Sequence, residues 1–509
     1  MVRVNRFVAF LGIALGLPVM ALATAPATTV NVSVDSVYYS YLDKLSGMGY
    51  VQSLPNGARP YSRMQMAKWV VEAQRVAQER PMPAYLADEL QALAVYLAPE
   101  LATLDGRAEQ DGLRLRSVTV SAAAYGGDGP EYRYGNGVRA KWQPFGAHQN
   151  GYRYGGDGNF ATSVEVSGNI GHETAISLRP RFSYDKDHEF SATLEEGYIK
   201  TRSGIWAFEA GKEALVWGQG TTGTLALGDS TKPLTTVQAH FVEPQHVGGF
   251  FRFLREADVH FFYGRLEGNR AETAGNYSDF DHPGLFGARI DITPTKYFTF
   301  GLERISMIGG DHNGLDRSDW GHWFTGRNSY HDDKWDDIAG MDFRLRLPGV
   351  QFYGEVYGED QAGGLPSDLA YRAGVYFPQL SRDGAWDMTM EVANTNDSWY
   401  RHSRYHNGWT YDETILGDTM GSDARKYYVG IKHHLAQESE LGLYAMRTEM
   451  DRSTSNHPVV DEIGVTGQKR IHNNLYLDGV LGAAKVEHAR YTDAADHDYF
   501  AMASLRWMY

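Results

Sequence analysis

The sequence predicts an all-β transmembrane barrel of about 18 antiparallel strands, preceded by a bundle of three helices. Three observations lead to this fold class. From Leu113 to the last residue, apolar and polar side chains alternate with the period of a β-strand. Along the same stretch, short connections alternate with longer ones, as periplasmic turns and surface loops do in outer-membrane barrels. Residues 33 to 105 instead repeat apolar side chains at helical spacing.

Composition excludes several classes of protein. The 509 residues carry a formal net charge of −15, include no cysteine and are 42% hydrophobic. Without cysteine there can be no disulfide, no thiolate metal site and no cysteine nucleophile. A net-acidic chain is a poor nucleic-acid binder, because phosphate neutralisation needs clustered Lys and Arg. Beyond the N-terminus no apolar run approaches the ~18 to 20 residues of a spanning helix, which excludes a helical membrane protein.

Residues 1–23 have the pattern of a signal peptide. Arg3 and Arg6 precede an apolar run from Phe7 to Ala21, and a small-x-small cleavage site ends at Ala23. We therefore expect an exported protein of the periplasm, the outer membrane or the medium, and the strand pattern described below selects the outer membrane of a Gram-negative bacterium.

Three short amphipathic helices are predicted within residues 24–110. The first carries apolar side chains from Val34 to Leu45, and the second begins at Ser62, where Gln65 completes a capping-box pattern. The third runs through Leu86 to Leu97. A bundle of roughly seventy residues is near the lower limit for an independent core, so we expect it to lean on the barrel as a periplasmic plug.

The C-terminal segment shows the strand alternation most clearly. One face carries Tyr499, Ala501, Ala503, Leu505, Trp507 and Tyr509. This apolar face with aromatic ends is typical of the lipid side of an outer-membrane strand, and a terminal aromatic residue suits the barrel-assembly machinery. In residues 341–347, Asp342, Arg344 and Arg346 alternate with apolar side chains, which predicts a polar barrel interior.

The barrel is predicted to occupy residues 111–509, with long extracellular loops. Its strands are expected at 113–124, 160–170, 174–184, 190–201, 204–213, 247–254, 258–267, 285–292, 297–307, 338–347, 349–358, 370–378, 384–393, 426–434, 440–449, 458–467, 474–489 and 497–509. An even strand number puts both barrel ends in the periplasm. A barrel of this width has a lumen of channel size unless something fills it.

Two long loops have the composition of a polysaccharide-binding surface. Exposed rings stack on sugar rings, and neighbouring polar groups bind hydroxyls. The candidate residues are Trp320, Trp323, Tyr330 and Trp335 in one loop, and Trp399, Tyr400, His402, Tyr405, Trp409 and Tyr411 in the other. The alternative is that these are ordinary surface-loop and girdle aromatics that anchor the barrel.

The sequence does not point to a metal, a cofactor or an enzyme. The aspartates between 332 and 337 lack EF-hand spacing, so a solvated acidic loop is favoured over a calcium site. There is neither a His-Glu-x-x-His motif nor a Gly-x-Ser-x-Gly motif. Adjacent strand residues point to opposite faces, so Glu195 and Glu196 are not expected to act as a glycosidase dyad.

Three stretches resemble the capsule assembly Wzi family. The first runs from Leu194 to Trp217-Gly218-Gln219-Gly220, the second from Trp399 to Leu416-Gly417, and residues 35–63 are similar to the family's helical domain. The motif residues of the first stretch are Glu195, Glu196, Gly197, Tyr198, Lys212, Glu213, Trp217, Gly218, Gln219 and Gly220.

The resemblance implies an eighteen-stranded barrel, plugged from the periplasmic side, that acts as a lectin and holds capsular polysaccharide on the cell surface. It implies no catalytic residue, and the motif residues are expected to be mainly structural. Lys212 and Glu213 are expected in an ion-pair network of the lumen. The expected partners are capsular or extracellular polysaccharide, outer-membrane lipid and the barrel-assembly machinery, and the expected state is a monomer. The alternative function is a diffusion channel for sugars or anions, with Arg344, Arg346 and Arg506 in its lumen.

Overall fold

The computed structural model describes residues 19–20, 28–52, 54–107, 112–270, 279–324, 334–362 and 365–509, and of residues 19–20, 360–362 and 365–367 it describes the backbone alone. The predicted signal peptide therefore lies outside the described residues, apart from Val19–Met20, which pair with His246 and Val247. No helix in the described part of the chain is long and apolar enough to cross a membrane.

Among the residues that the structure describes, four helices precede the barrel, rather than the three predicted. They are α1 (Tyr38–Gly47), α2 (Arg63–Glu79), α3 (Ala84–Tyr96) and α4 (Ala98–Leu104). The predicted start of α2 is confirmed, because the Ser62 hydroxyl accepts a hydrogen bond from the backbone N–H of Gln65 at 3.1 Å. The helices share a hydrophobic core that includes Leu42, Trp69 and Leu93.

A closed antiparallel barrel follows. Its strands are β1 (Gly112–Gly126), β2 (Asp157–Ile170), β3 (Thr174–Asp185), β4 (Glu189–Ser203), β5 (Trp206–Glu213), β6 (Leu234–Phe241), β7 (Glu256–Arg265), β8 (Gly284–Thr295), β9 (Phe298–Ile308), β10 (Trp335–Leu347), β11 (Val350–Ala362), β12 (Leu365–Phe377), β13 (Trp386–Asn394), β14 (Arg425–Leu435), β15 (Ser439–Glu449), β16 (Val459–His472), β17 (Leu475–Glu487) and β18 (Ala495–Met508).

The predicted number of barrel strands is confirmed. The continuous sheet has 20 strands, of which the short Val19–Met20 and Gln245–Val247 lie beside the barrel, and this leaves eighteen. Each strand pairs with its sequence neighbour, and β18 pairs with β1 from Tyr499 opposite Gly126 to Met508 opposite Ser117, which closes the barrel.

The sixth predicted strand is wrong. Residues 247–254 do not span the barrel: Gly249–Leu254 form a 3-10 helix, and the sixth strand is Leu234–Phe241, which pairs with β5 and β7. The apolar run at 247–254 has the composition of a strand, whereas the true strand Leu234–Phe241 has several polar side chains. As a result, the connection between β5 and β6 covers 214–233 rather than 214–246.

Outward-facing side chains are apolar and inward-facing ones are polar or charged. On β15 and β16, Leu443 and Ile463 are each 59% exposed on the outside. On β8, Arg289 and Asp291 are buried on the inside. The large interior core is not formed by strands alone, since the segments 214–233 and 395–424 contribute half of its side chains and most of the aromatic ones.

The helices contact the inner wall at one end of the barrel. The two ring nitrogens of His434 lie 2.7 Å from Glu89 of α3 and 2.7 Å from Asp387 of β13. Lys44 of α1 donates to the Pro378 carbonyl at 2.7 Å and pairs with Asp387 at 3.2 Å. The buried charges of this contact are paired, as burial requires.

Candidate functional site

The segment 214–233 folds into the lumen and meets the helical region there. Val216–Trp217 pair antiparallel with Ala58–Arg59, and the N–H of Gly218 donates to the Gly57 carbonyl at 2.8 Å. Gly218 has φ of 134°, and a Cβ there would lie 2.7 Å from Oε1 of Glu355. A side chain at this position would therefore be excluded by both backbone conformation and space.

Two wall carboxylates hold the next turn of this segment. Glu355 accepts hydrogen bonds from the backbone N–H groups of Gln219, Gly220 and Leu225 at 2.7, 2.8 and 2.9 Å. Glu391 accepts from the N–H groups of Thr221 and Thr222 at 2.7 and 3.2 Å. Charged acceptors satisfy backbone donors that are buried or half-buried, so the segment is fastened to the barrel wall.

The Gln219 side chain joins a network of charged groups on the inner wall. Its Nε2 donates to Asp342 at 2.7 Å, and Arg344 donates to its Oε1 at 3.0 Å. Arg289 pairs with Asp342 at 2.6 Å, as well as with Asp291 and Glu303. These charges compensate one another, so removing one would leave others buried and unpaired. Arg344 is one of the three arginines predicted to line an open lumen, and its guanidinium is hydrogen-bonded to Gln219 of the segment that fills the lumen.

The loop 395–424 also folds inward, and its aromatic side chains pack against segment 214–233. The Tyr400 hydroxyl donates to the Leu225 carbonyl at 2.5 Å, and the Trp409 indole donates to the Ala226 carbonyl at 2.8 Å. Asp418 of this loop pairs with Arg372 of β12 and Lys426 of β14. Although burial acts to raise it, these two cations hold the pKa of Asp418 below its ordinary value.

The expectation that the aromatic rings of this loop are exposed is wrong. Trp399, Tyr400, Tyr405 and Trp409 are 0% exposed. Only His402 and Tyr411 of the predicted set in this loop are half-buried. A buried ring cannot stack on a sugar, so these four residues build the core of the loop, and any glycan contact falls to what lies on its outer surface.

The aromatic residues of the other loop lie on the outside of the barrel. Trp323 belongs to α5 (Arg317–Phe324), donates from its indole to Ser306 at 2.9 Å and packs edge-on against Phe286. Ser306 and Phe286 are paired opposite each other on the outward face of β9 and β8. Trp335 is buried in the same cluster, whereas Trp320 is 45% exposed. Tyr330 lies outside the described residues. This placement favours the interpretation that the three tryptophans anchor the barrel in the membrane rather than bind polysaccharide.

The prediction that Glu195 and Glu196 point to opposite faces is wrong. A β-bulge interrupts the pairing of β3 and β4, where Arg179 lies opposite Glu196 and Pro180 lies opposite Leu194. Both carboxylates consequently reach Arg179, at 3.0 and 3.6 Å. Arg179 also pairs with Asp35, so this motif fastens the chain that precedes α1.

The other motif residues have structural contacts. The Tyr198 hydroxyl accepts from the Asn31 N–H at 2.8 Å, and the Asn31 amide donates to Glu213 at 2.8 Å. Trp217 packs edge-on against Phe262 at 5.0 Å between ring centres. A Cβ at Gly197 would collide with Leu194. Lys212 is half-buried and lies next to the buried Glu213.

A cluster of alternating charges lies on the rim where the loop 127–156 meets the tip of the loop 395–424. Lys141 pairs with Glu131 at 3.2 Å and with Glu413 at 3.0 Å. Arg153 pairs with the same two carboxylates at 3.2 and 3.4 Å. Tyr411 lies two residues before Glu413. We call Glu131, Lys141, Arg153 and Glu413 the rim cluster. Sequence reasoning missed it, because its members come from segments far apart in the chain.

His148 connects the loop 127–156 to the inward segment. Its Nδ1 lies 2.8 Å from Asp229, and its Nε2 lies 2.7 Å from the Thr221 carbonyl. The Asp229 carboxylate raises the pKa of His148 to about 9, so the imidazolium donates to both oxygens at neutral pH.

Space remains inside the barrel between the helices and the inward loops. Two adjoining cavities of about 440 and 500 Å³ share His148, Thr221 and Tyr428 in their lining. Within the described ranges, no group of three or more His, Asp or Glu side chains is arranged to hold a metal ion. Asp332 and Asp333 lie outside those ranges, while Asp337 pairs with Arg304 at 2.6 Å.

The fold and this site define a class, a wide outer-membrane-type β-barrel whose lumen is occupied by its own loops. The model of the family described as capsule assembly protein Wzi matches residues 136–499, more than half of the sequence, and the chain belongs to that family.

Individual relatives agree with this assignment. The chain is 27% identical over 224 residues to an uncharacterized 55.8 kDa protein in the cps region of Klebsiella pneumoniae, a match that spans 42% of this chain and 40% of that relative. It is similar in fold to Wzi from Escherichia coli, with a TM-score of 0.70 and 17% identity over 95% of this chain and 100% of that one. That structure is described as a carbohydrate-binding β-barrel involved in group 1 capsule assembly. OprD from Pseudomonas aeruginosa is more distant, at a TM-score of 0.46 and 8% identity over 78% of this chain and 93% of that one.

Proposed function

We propose that this protein is an outer-membrane lectin that attaches capsular or extracellular polysaccharide to the bacterial surface during capsule assembly. The observation that carries the proposal is the occupied lumen: Glu355 and Glu391 fasten the inward segment where a channel would need open space. Membership of the Wzi family supports it, as does the carbohydrate binding described for the Escherichia coli protein. Holding a polymer requires no catalytic residue.

In the orientation we propose, the helical region (24–110) faces the periplasm after removal of residues 1–23. The short turns of the barrel (111–509), such as 296–297 and 348–349, lie at the same end as the helices. The contacts of His434 and Lys44 support a role of the helices as a plug. The long loops then face the medium, where the polysaccharide is.

The glycan surface we propose is the rim cluster together with Tyr411. Four paired charges offer donors and acceptors to sugar hydroxyls, and Tyr411, two residues before Glu413, offers a half-buried ring at the edge of the interior core. A single site that binds a repeat unit at millimolar strength contributes about −4 kcal/mol. Many copies of the protein on one long polymer turn this into firm attachment through effective concentration.

The test is the partition of polysaccharide between cells and medium, with total polymer quantified. Deleting the protein is expected to lower the cell-bound fraction at constant total, and Tyr411→Ala combined with Lys141→Ala is expected to reproduce this loss. Lys186→Ala, which removes an exposed lysine from another extracellular loop, is the matched control. An unchanged partition in the deletion strain would refute the lectin role.

The alternative of a diffusion channel has one observation in its favour, the two polar cavities inside the barrel. A channel would conduct ions in planar bilayers without any change to its loops. The lectin is expected to show almost no ion conductance, because the cavities lie between the helices and the fastened segment.

A further inference from the structure

One connection at the helix end of the barrel is much longer than its neighbours. It links β6 to β7 through residues 242–255, whereas the next longest at this end is 378–385. Its second half is the 3-10 helix Gly249–Leu254. We call residues 249–255, with the sequence Gly-Phe-Phe-Arg-Phe-Leu-Arg, the aromatic flap.

The aromatic flap folds back over the outside of the barrel. Phe251 and Leu254 pack against a cluster that contains Val259 and Ile290. Val259 and Ile290 lie opposite each other in the pairing of β7 with β8. Arg289, next to Ile290, faces the inner ion network, so Ile290 and its partner face outward, where the barrel meets lipid. The flap therefore covers a patch of lipid-facing wall.

The other side of the flap is apolar, cationic and uncovered. Phe250 is 85% exposed and Phe253 is 61% exposed, more than most outward-facing strand residues. Arg252 and Arg255 are exposed too, and neither forms an ion pair with any residue that the structure describes. Exposing two phenyl rings to water is unfavourable, and this arrangement continues the lipid-facing surface rather than the aqueous one.

We propose that the aromatic flap is a binding site for an anionic glycerophospholipid in the leaflet at the helix end of the barrel. Phe250 and Phe253 insert beside the acyl chains, where interfacial aromatic rings are favoured. Arg252 and Arg255 bind the phosphate, since a guanidinium forms paired hydrogen bonds to phosphate oxygens. The site holds the barrel at a fixed depth and does not depend on whether the loops bind polysaccharide.

The natural absence of cysteine makes insertion directly measurable with single nitroxide labels. The label would be placed at Phe250→Cys or Phe253→Cys in full-length protein reconstituted in lipid bilayers. Leu443→Cys is the lipid-facing control, and Val95→Cys, an exposed position on α3, is the aqueous control. Labels at 250 and 253 are expected to collide with oxygen more than with a water-soluble nickel chelate, as at 443. Collision behaviour like that of residue 95 would overturn insertion.

Phosphate recognition is tested by counting phosphatidylglycerol molecules retained on the detergent-purified protein in native mass spectrometry, against phosphatidylcholine as the zwitterionic probe. Arg252→Gln with Arg255→Gln is expected to lower phosphatidylglycerol retention about tenfold or more, as the loss of two charge-assisted contacts implies. Arg75→Gln with Arg107→Gln removes two exposed arginines elsewhere and is the matched control. Equal retention of phosphatidylglycerol by both double variants would overturn the lipid site and show that the flap binds no ligand. A concentration-dependent dimer that Phe250→Ser abolishes would overturn it in favour of a second copy of the protein as the partner.

Discussion

The fastening of the inward segment by Glu355 predicts that one carboxylate keeps the lumen shut. Glu355→Ala leaves three backbone N–H groups without their acceptor: those of Gln219 and Leu225, which are buried, and that of Gly220, which is half-buried. A buried unsatisfied donor costs about 1–3 kcal/mol, so the two buried donors together destabilise the fastened state by about 4 kcal/mol. At 1.4 kcal/mol per factor of ten, the equilibrium between fastened and released segment shifts roughly 10³-fold.

The assay is single-channel recording in planar bilayers. The parent protein is expected to be closed almost all the time, while Glu355→Ala opens with a summed open time roughly 10³-fold longer, in line with the lost free energy. Glu355→Gln is expected to lie between them, because one amide oxygen still accepts but the amide NH₂ cannot accept from Leu225.

A matched control separates release of the segment from a damaged barrel. Asp461→Asn removes a carboxylate that pairs with Arg447 on the exposed side of the wall, and it is expected to stay closed. Heat-modifiable migration on gels checks that each barrel is folded. A folded Glu355→Ala barrel that is as silent as the parent would show that the three hydrogen bonds do not hold the segment.

Two further predictions concern the inward loops. Trp399→Ala is expected to destabilise its loop by about 3–5 kcal/mol in urea titrations, because a fully buried indole is lost. Trp320→Ala, at a half-exposed position, is expected to cost under about 1 kcal/mol. Equal effects of the two substitutions would mean that Trp399 is not a core residue. Because Asp229 raises the pKa of His148 to about 9, the contact contributes fully below pH 6.5 and weakens as the pH rises through 9. Trypsin sensitivity of the loops should accordingly increase between pH 7 and 10 in the parent but not in His148→Gln, and tighter loops at high pH would contradict the assignment.

The barrel could be predicted from the sequence because each strand carries its own evidence. The alternation of apolar and polar residues in segments such as 499–509 indicates which side of the barrel wall each residue faces. The alternation of short and long connections indicates the order and direction of the strands. The predicted strand at 247–254 is wrong because the Phe-rich 3-10 helix there has the apolar content of a strand. The prediction for Glu195 is wrong because a bulge changes the face of a residue without any local signal.

The candidate site was harder to predict because its burial depends on residues far away in the chain. Nothing near Tyr400 indicates that its hydroxyl will meet the Leu225 carbonyl, 175 positions earlier. An aromatic loop that folds into the lumen and one that extends into the medium have the same composition. The rim cluster was equally hard to predict, because the ion pair of Lys141 with Glu413 joins residues that are far apart in the chain.

The seam between β1 and β18 determines the order in which the wall can be completed. Its partners lie at the two ends of the barrel sequence, so its loop-closure entropy is the most unfavourable of any strand pair. Small side chains face each other across it, with Ala122 opposite Ala503 and Ala124 opposite Ala501. Larger side chains flank these pairs, with Phe500 opposite Tyr125 and Leu505 opposite Val120, so side-chain packing and main-chain hydrogen bonds both hold the seam. A chain entering the membrane therefore closes its wall along this line last, once the first and last strands of the barrel are both in place.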